Sequence, residues 1–90
     1  MNASISLDNS LLTVTNLNNY DWHDVNLALN DTYKLHASVI KGSNGYRVMI
    51  TQFTSSDGAT FNPANTKALK LTISCKNIDG LRLTWAGNIK

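Results

Sequence analysis

The stretch Leu11–Leu29, LLTVTNLNNYDWHDVNLAL, decides the reading of this chain. In its first part Leu12 and Val14 alternate with Thr13 and Thr15; in its last part Val25, Leu27 and Leu29 alternate with Asn26 and Ala28. Alternate side chains of a strand point to opposite faces, so each part reads as a half-buried strand. Between them lies Asn16-Leu17-Asn18-Asn19-Tyr20-Asp21, rich in side chains that tolerate turns and bond nearby backbone. The stretch therefore reads as a hairpin. A two-stranded hairpin alone is marginal in water, so the rest of the chain has to supply a second layer.

Working outward, the same period recurs. Ile5 and Leu7 alternate with Ser4 and Ser6, a short first strand closed by Asp8-Asn9-Ser10. After the Asn30-Asp31-Thr32 connection, Tyr33, Leu35, Ala37 and Val39 form one face of a strand over Tyr33–Ile40. Asn44-Gly45 predicts a hairpin into Tyr46–Thr51, because both residues accept positive φ cheaply. Thr54–Ala68 is the longest irregular segment; Phe53 and Phe61 bracket its Ser55-Ser56-Asp57-Gly58 turn and are expected to pin it to the core. A sixth strand spans Leu69–Cys75 and a seventh Leu81–Trp85, with Leu81, Leu83 and Trp85 facing in; Gly87–Lys90 is expected to fray. Seven short antiparallel strands with regular turn signals read as one all-β domain over residues 1–90. The expected form is a β-sandwich of immunoglobulin or fibronectin type III kind, with an open barrel as the alternative. Its expected core is Leu12, Val14, Val25, Leu27, Leu29, Leu35, Val39, Val48, Ile50, Leu71, Ile73, Leu83 and Trp85.

Composition agrees. All six acidic residues are Asp, and Asn, Ser and Thr make roughly a third of the chain, which disfavours long helices. No apolar run approaches the roughly 20 residues of a membrane-spanning helix. Met1-Asn2-Ala3-Ser4 has neither a basic nor an apolar region, so it does not read as a secretory signal. The single Cys75 makes no internal disulfide and, on the same side of its strand as Leu69, Leu71 and Ile73, reads as a buried, inert thiol. Neither composition nor motif assigns a compartment.

Chemistry is hard to place. His23 and His36 show no ligand spacing, so no metal is expected. Asp57-Gly58 sits in a plain turn; a calcium loop needs more acidic positions and a distal Glu, and the chain has no Glu. There is no nucleophile elbow, phosphate-cradling glycine motif or opposed carboxylate pair by pattern, so no catalytic residue and no cofactor are expected. The outward residues Lys34, His36, Arg47, Lys70, Lys76 and Arg82 would form a weakly basic face if strands four, six and seven share a sheet. Nucleic-acid proteins show denser charge with interleaved aromatics, so nucleic acid is not expected. Tyr20 and Trp22 flank the first turn, and exposed together they would offer a stacking platform for sugars; the competing reading packs Trp22 and Trp85 in the core.

Two longer stretches carry a resemblance. VTNLNNYDWHDVNLALN over Val14–Asn30, then Tyr33, a glycine-containing turn and ITQFTSSDGATFNPANTK over Ile50–Lys67, resemble a group of small uncharacterised bacterial β domains of immunoglobulin or fibronectin type III-like kind. The matching positions here are Asn16, Asp21, Trp22, Asn30, Phe53, Asp57, Gly58, Phe61, Asn62, Pro63, Thr66 and Lys67, so the resemblance covers most of Leu12–Lys76. The group has no assigned activity. The resemblance implies the fold and an accessory role, and carries over no catalytic residue. The resulting expectation is a non-enzymatic module for protein–protein contact or structural support. Its alternative is a carbohydrate-binding module using Tyr20 and Trp22. Open edges offer a route to a homodimer through the N-terminal strand or Tyr46–Thr51.

Overall fold

The computed structural model describes residues 1–89 and contains seven strands. They are β1 (Ala3–Asp8), β2 (Leu11–Asn16), β3 (Trp22–Leu29), β4 (Tyr33–Ile40), β5 (Gly45–Met49), β6 (Lys70–Lys76) and β7 (Arg82–Asn88), with one 3-10 turn over Ile50–Gln52. Two antiparallel sheets result, one ordered β1-β2-β5 and the other β4-β3-β6-β7. Leu12, Val14 and Val48 of the first sheet and Trp22, Val25, Leu27, Leu29, Leu71, Ile73 and Cys75 of the second are buried in one core.

The hairpin expected across Leu11–Leu29 does not form. Its two strands exist, but β2 pairs with β1 and β5, whereas β3 pairs with β4 and β6. Asn16–Asp21 is thus a crossing between sheets. The Asn44-Gly45 expectation fails in the same way, since β4 and β5 lie in different sheets. In that turn the residue with positive φ is Ser43, at 63°. Gly42 is needed for space instead: a Cβ there would come within 2.9 Å of the Asn19 carbonyl carbon. The two crossings press backbone against backbone, and a two-residue hairpin turn would have left them apart.

True hairpins join β1 to β2, β3 to β4 and β6 to β7. The β3–β4 turn has positive φ at both Asn30 (53°) and Asp31 (63°), and Thr32 N–H donates to Leu29 O at 3.2 Å. This is the turn whose twist matches paired strands, and Asn and Asp are the non-glycine residues that tolerate it.

A bulge resets the period of the central strand. In β3 the register against β6 shifts between His23 and Asn26, and Asp24 there has φ of 49°. Buried positions become Trp22 and Val25, three apart, and across the ladder Ala37 and Ile40. Val39, expected inside, is consequently 39% exposed, because an extra residue turns every side chain beyond it to the other face.

β7 departs from expectation too. Leu81 precedes it and is exposed, while Leu83 and Trp85 are only half-buried, as is Leu35 on β4. Three strands cannot fully cover four, and β4 and β7 are the outer strands of the wider sheet. Leu69 is exposed because it lies before β6; Leu71, Ile73 and Cys75 keep the inward phase. The tail does not fray at Gly87–Ile89: Gly87 and Asn88 pair with β6, and Ile89 N–H donates to Leu69 O at 2.8 Å. Lys90 lies outside the described residues.

Candidate interaction surfaces

Tyr20 and Trp22 stand at the Asn16–Asp21 crossing. Trp22 has no exposed surface, and its indole Nε1–H donates to Asn18 Oδ1 at 3.2 Å. Tyr20 keeps partial exposure. The two rings therefore present no common face, and the expected sugar platform is not assembled. The cause is the β3 bulge, which places Trp22 inside. The residues around them do structural work. Asn16 is the one buried polar residue among those described; its Nδ2 donates to Tyr20 O (2.8 Å) and Ile40 O (3.1 Å), and its Oδ1 accepts from Asn18 N–H (2.9 Å). Asp21 Oδ1 accepts from Gly42 N–H at 2.9 Å, and Ser43 N–H donates to Asn18 O at 3.0 Å.

The four-stranded sheet carries a polar outer face. Strands β4 and β6 bring Lys34, His36, Lys70 and Lys76 to it, and β7 adds Arg82; Arg47 lies on β5, in the other sheet. The face is less basic than its lysines suggest, because Asp24 sits among them. Its carboxylate meets His36 Nε2 at 2.8 Å, Arg82 Nη2 at 3.2 Å and Lys76 Nζ at 3.7 Å. The His36 hydrogen bond, then that of Arg82, holds the Asp24 carboxyl below the ordinary range. Arg82 also donates to Ser74 Oγ at 3.0 Å. Four strands supply these groups, which is why no spacing in the sequence announced the cluster. Every cation near Asp24 is already engaged, so the arrangement joins strands and leaves little free charge for a ligand.

His23 lies outside this cluster, and among the described residues no three His, Cys, Asp or Glu side chains converge as a metal site. Ser55–Ala59 closes as a turn, with the Ser55 hydroxyl donating to Asp57 and Ser55 N–H to Ala59 O. Cys75 is buried, and burial pushes its thiol above the ordinary range, which keeps it un-ionised at neutral pH.

The side of the molecule bounded by β1 and β7 differs from the rest. Both are outer strands, and Ile5 and Leu7 of β1 share a shallow hollow with Asn88 and Ile89. Ile5, Leu7, Leu83, Trp85 and Ile89 are all half-buried apolar groups packed on the core. The other two edges are obstructed. On β4, Lys34 exchanges backbone bonds with Thr54 (2.8 and 3.1 Å), and the Ile40 carbonyl accepts from Asn16. On β5, only five residues precede the 3-10 turn, with the charged Arg47 at the centre. Sequence reasoning named the first strand and Tyr46–Thr51 as candidate edges and missed β7, because half-burial of Leu83 and Trp85 depends on how many strands stand opposite.

Comparison with protein-family models, with curated proteins and with solved structures gives no match.

Proposed function

We propose that this chain is a non-enzymatic β-sandwich module that works by protein–protein contact, receiving an extended segment of a partner on its β1/β7 side. The observation that carries the reading is the contrast between edges. Two are obstructed by backbone bonds, charge or shortness, while the β1/β7 side pairs unblocked backbone with half-buried apolar side chains. Edge addition uses these two elements: main-chain hydrogen bonds supply affinity, and alternate side chains fill the apolar positions. A fibronectin type III-like assignment is supported by the strand order, since the fourth strand joins the sheet of the third, whereas in immunoglobulin constant domains it joins the opposite sheet.

The test is selection from a displayed library of random extended peptides. Enriched peptides should alternate apolar residues, should protect backbone amides of β1 or β7 from hydrogen exchange, and should be lost on Leu83→Lys without loss of the folded spectrum. Binders that protect amides elsewhere, or a polysaccharide that shifts tryptophan fluorescence where no peptide does, would defeat the reading.

A further inference from the structure

We infer that β7 is a self-complementary edge through which two copies of this chain join antiparallel, β7 against β7, about a two-fold axis at Trp85. The inference rests on the reading of the β1/β7 side as a contact surface and names its occupant.

The backbone comes first. In an antiparallel pair, residues alternate between those bonded to the neighbour and those facing away. Ile89 N–H donates to Leu69 O and Asn77 N–H to Leu81 O, which assigns Leu83, Trp85 and Gly87 to the β6 ladder. Arg82, Thr84, Ala86 and Asn88 therefore turn their N–H and C=O groups outward. The same argument on β1, from Leu17 N–H to Asn2 O, leaves Ala3, Ile5 and Leu7 outward. β7 offers the longer row. It contains no proline or bulge, and its single charged side chain, Arg82, is already bound to Asp24 and Ser74. Natural edges are normally blunted by such devices, and β7 keeps only Arg82, at its first residue and tied to its own sheet.

The side chains then select the partner. Centring the pair on Trp85 sets Thr84 against the second copy's Ala86 and Arg82 against its Asn88, so all four outward residues bond and no like charges face each other. On the inner face Leu83 meets Gly87 of the other copy. Gly87 is free of a side chain because the Trp85 ring of its own strand lies over it, and a Cβ there would collide with that ring. That ring stands opposite Leu83 of the other copy, so apolar surface meets apolar surface there, and the two Trp85 residues face each other across the axis in the closer, non-hydrogen-bonded type of pair. A strand that meets its own copy with apolar groups facing apolar groups and no like charges opposed makes a closed two-fold contact, the commonest form of oligomer.

The experiment is sedimentation equilibrium of the whole chain from micromolar to millimolar concentration, with amide hydrogen exchange followed over the same series. Twice the monomer mass is expected at the upper end. There, Thr84 and Ala86 amides should slow about tenfold or more while Ile5 and Leu7 stay unchanged. Ala86→Pro removes one outward donor and leaves the β6 ladder intact, a placement that edge strands accept, and it should be monomeric. If that variant does not fold, the wild-type exchange pattern decides. A monomer throughout, protection appearing on β1 or β5 instead, or a dimer that survives in folded Ala86→Pro overturns the inference. A monomer that nevertheless captures an extended peptide along β7 also overturns it, while leaving the broader contact reading in place.

Discussion

The two ends of this molecule are closed by different chemistry. At one end β2 passes to β3 and β4 passes to β5, and both crossings change sheet. They are held by polar side chains bonded to backbone: Asn16 to Tyr20, Ile40 and Asn18, and Asp21 to Gly42. At the other end lies the long Phe53–Leu69 connection, which is anchored by apolar burial. Phe53 and Phe61 have almost no exposed surface, and the Phe61 ring meets Tyr33 edge-on with centroids 5.1 Å apart. Asparagine still contributes there, as Asn30 donates to Lys67 O and accepts from Leu69 and Lys70 N–H. The lesson is about what each closure has to do. All three connections change sheet, but the two short ones turn the backbone sharply and leave N–H and C=O groups without ladder partners, so they need hydrogen-bonding side chains. A long loop lying over the sheet ends needs mass to exclude water, so it uses rings.

The contrast predicts an order of effects. Phe61→Ala should be the most damaging, costing about 3–5 kcal/mol in a denaturant melt, since it removes a fully buried ring and leaves a cavity. Asn16→Ala should cost about 1–3 kcal/mol, because the Tyr20 and Ile40 carbonyls and the Asn18 N–H lose their partner. The second variant should also act locally: exchange of Gly42 and Ser43 amides accelerates, while Thr54, bonded at the far end, is unaffected. An Asn16→Ala cost above that of Phe61→Ala would break the comparison, and uniform acceleration at both ends would show that the ends open together.

Strand positions were legible in the sequence, because alternation reports the buried face wherever a strand is regular. β2 and β4 have the bounds that alternation and turn residues indicate, and Phe53 and Phe61 pin their loop as their bracketing of a turn suggests. Partner choice was not legible. Asn16–Asp21 and Lys41–Asn44 contain the residues a hairpin would use, and the same residues serve a crossing equally well. What separates the two is the neighbouring backbone against Gly42, a contact distant in sequence. The exchange of Val39 for Ile40 had a visible cue, the spacing of three from Trp22 to Val25, but a bulge is needed to give that cue meaning. Trp22 and Trp85 both admit a core reading; the β3 bulge seals the first, while the narrower opposite sheet leaves the second half-open. Of the candidate surfaces, the lysines of the outer face could be placed on their strands, and Asp24 among them could not.

Asp24 carries the smallest of the expected effects and sharpens the contrast by pH. The cluster joins His36, Lys76 and Arg82 at the crossing end, near the first residues of β3. The carboxylate is close to half exposed, so solvent screens these pairs and each contributes little. Its folded-state pKa lies below the ordinary value of 3.8, with His36 the first cause and Arg82 the second. A group depressed in this way binds protons more readily when unfolded. Its stabilisation is complete above the ordinary carboxylate pKa and is lost as pH falls through the lower, folded value. Asp24→Asn preserves a residue type that tolerates the 49° φ while removing the charge. The variant should be slightly less stable than the wild type at pH 6, and the gap should close in strongly acidic solution. With falling pH the wild type should lose amide protection around His23 and Lys76 before it loses any around Phe61. A gap that widens in acid would mean that the Asp24 charge opposes folding.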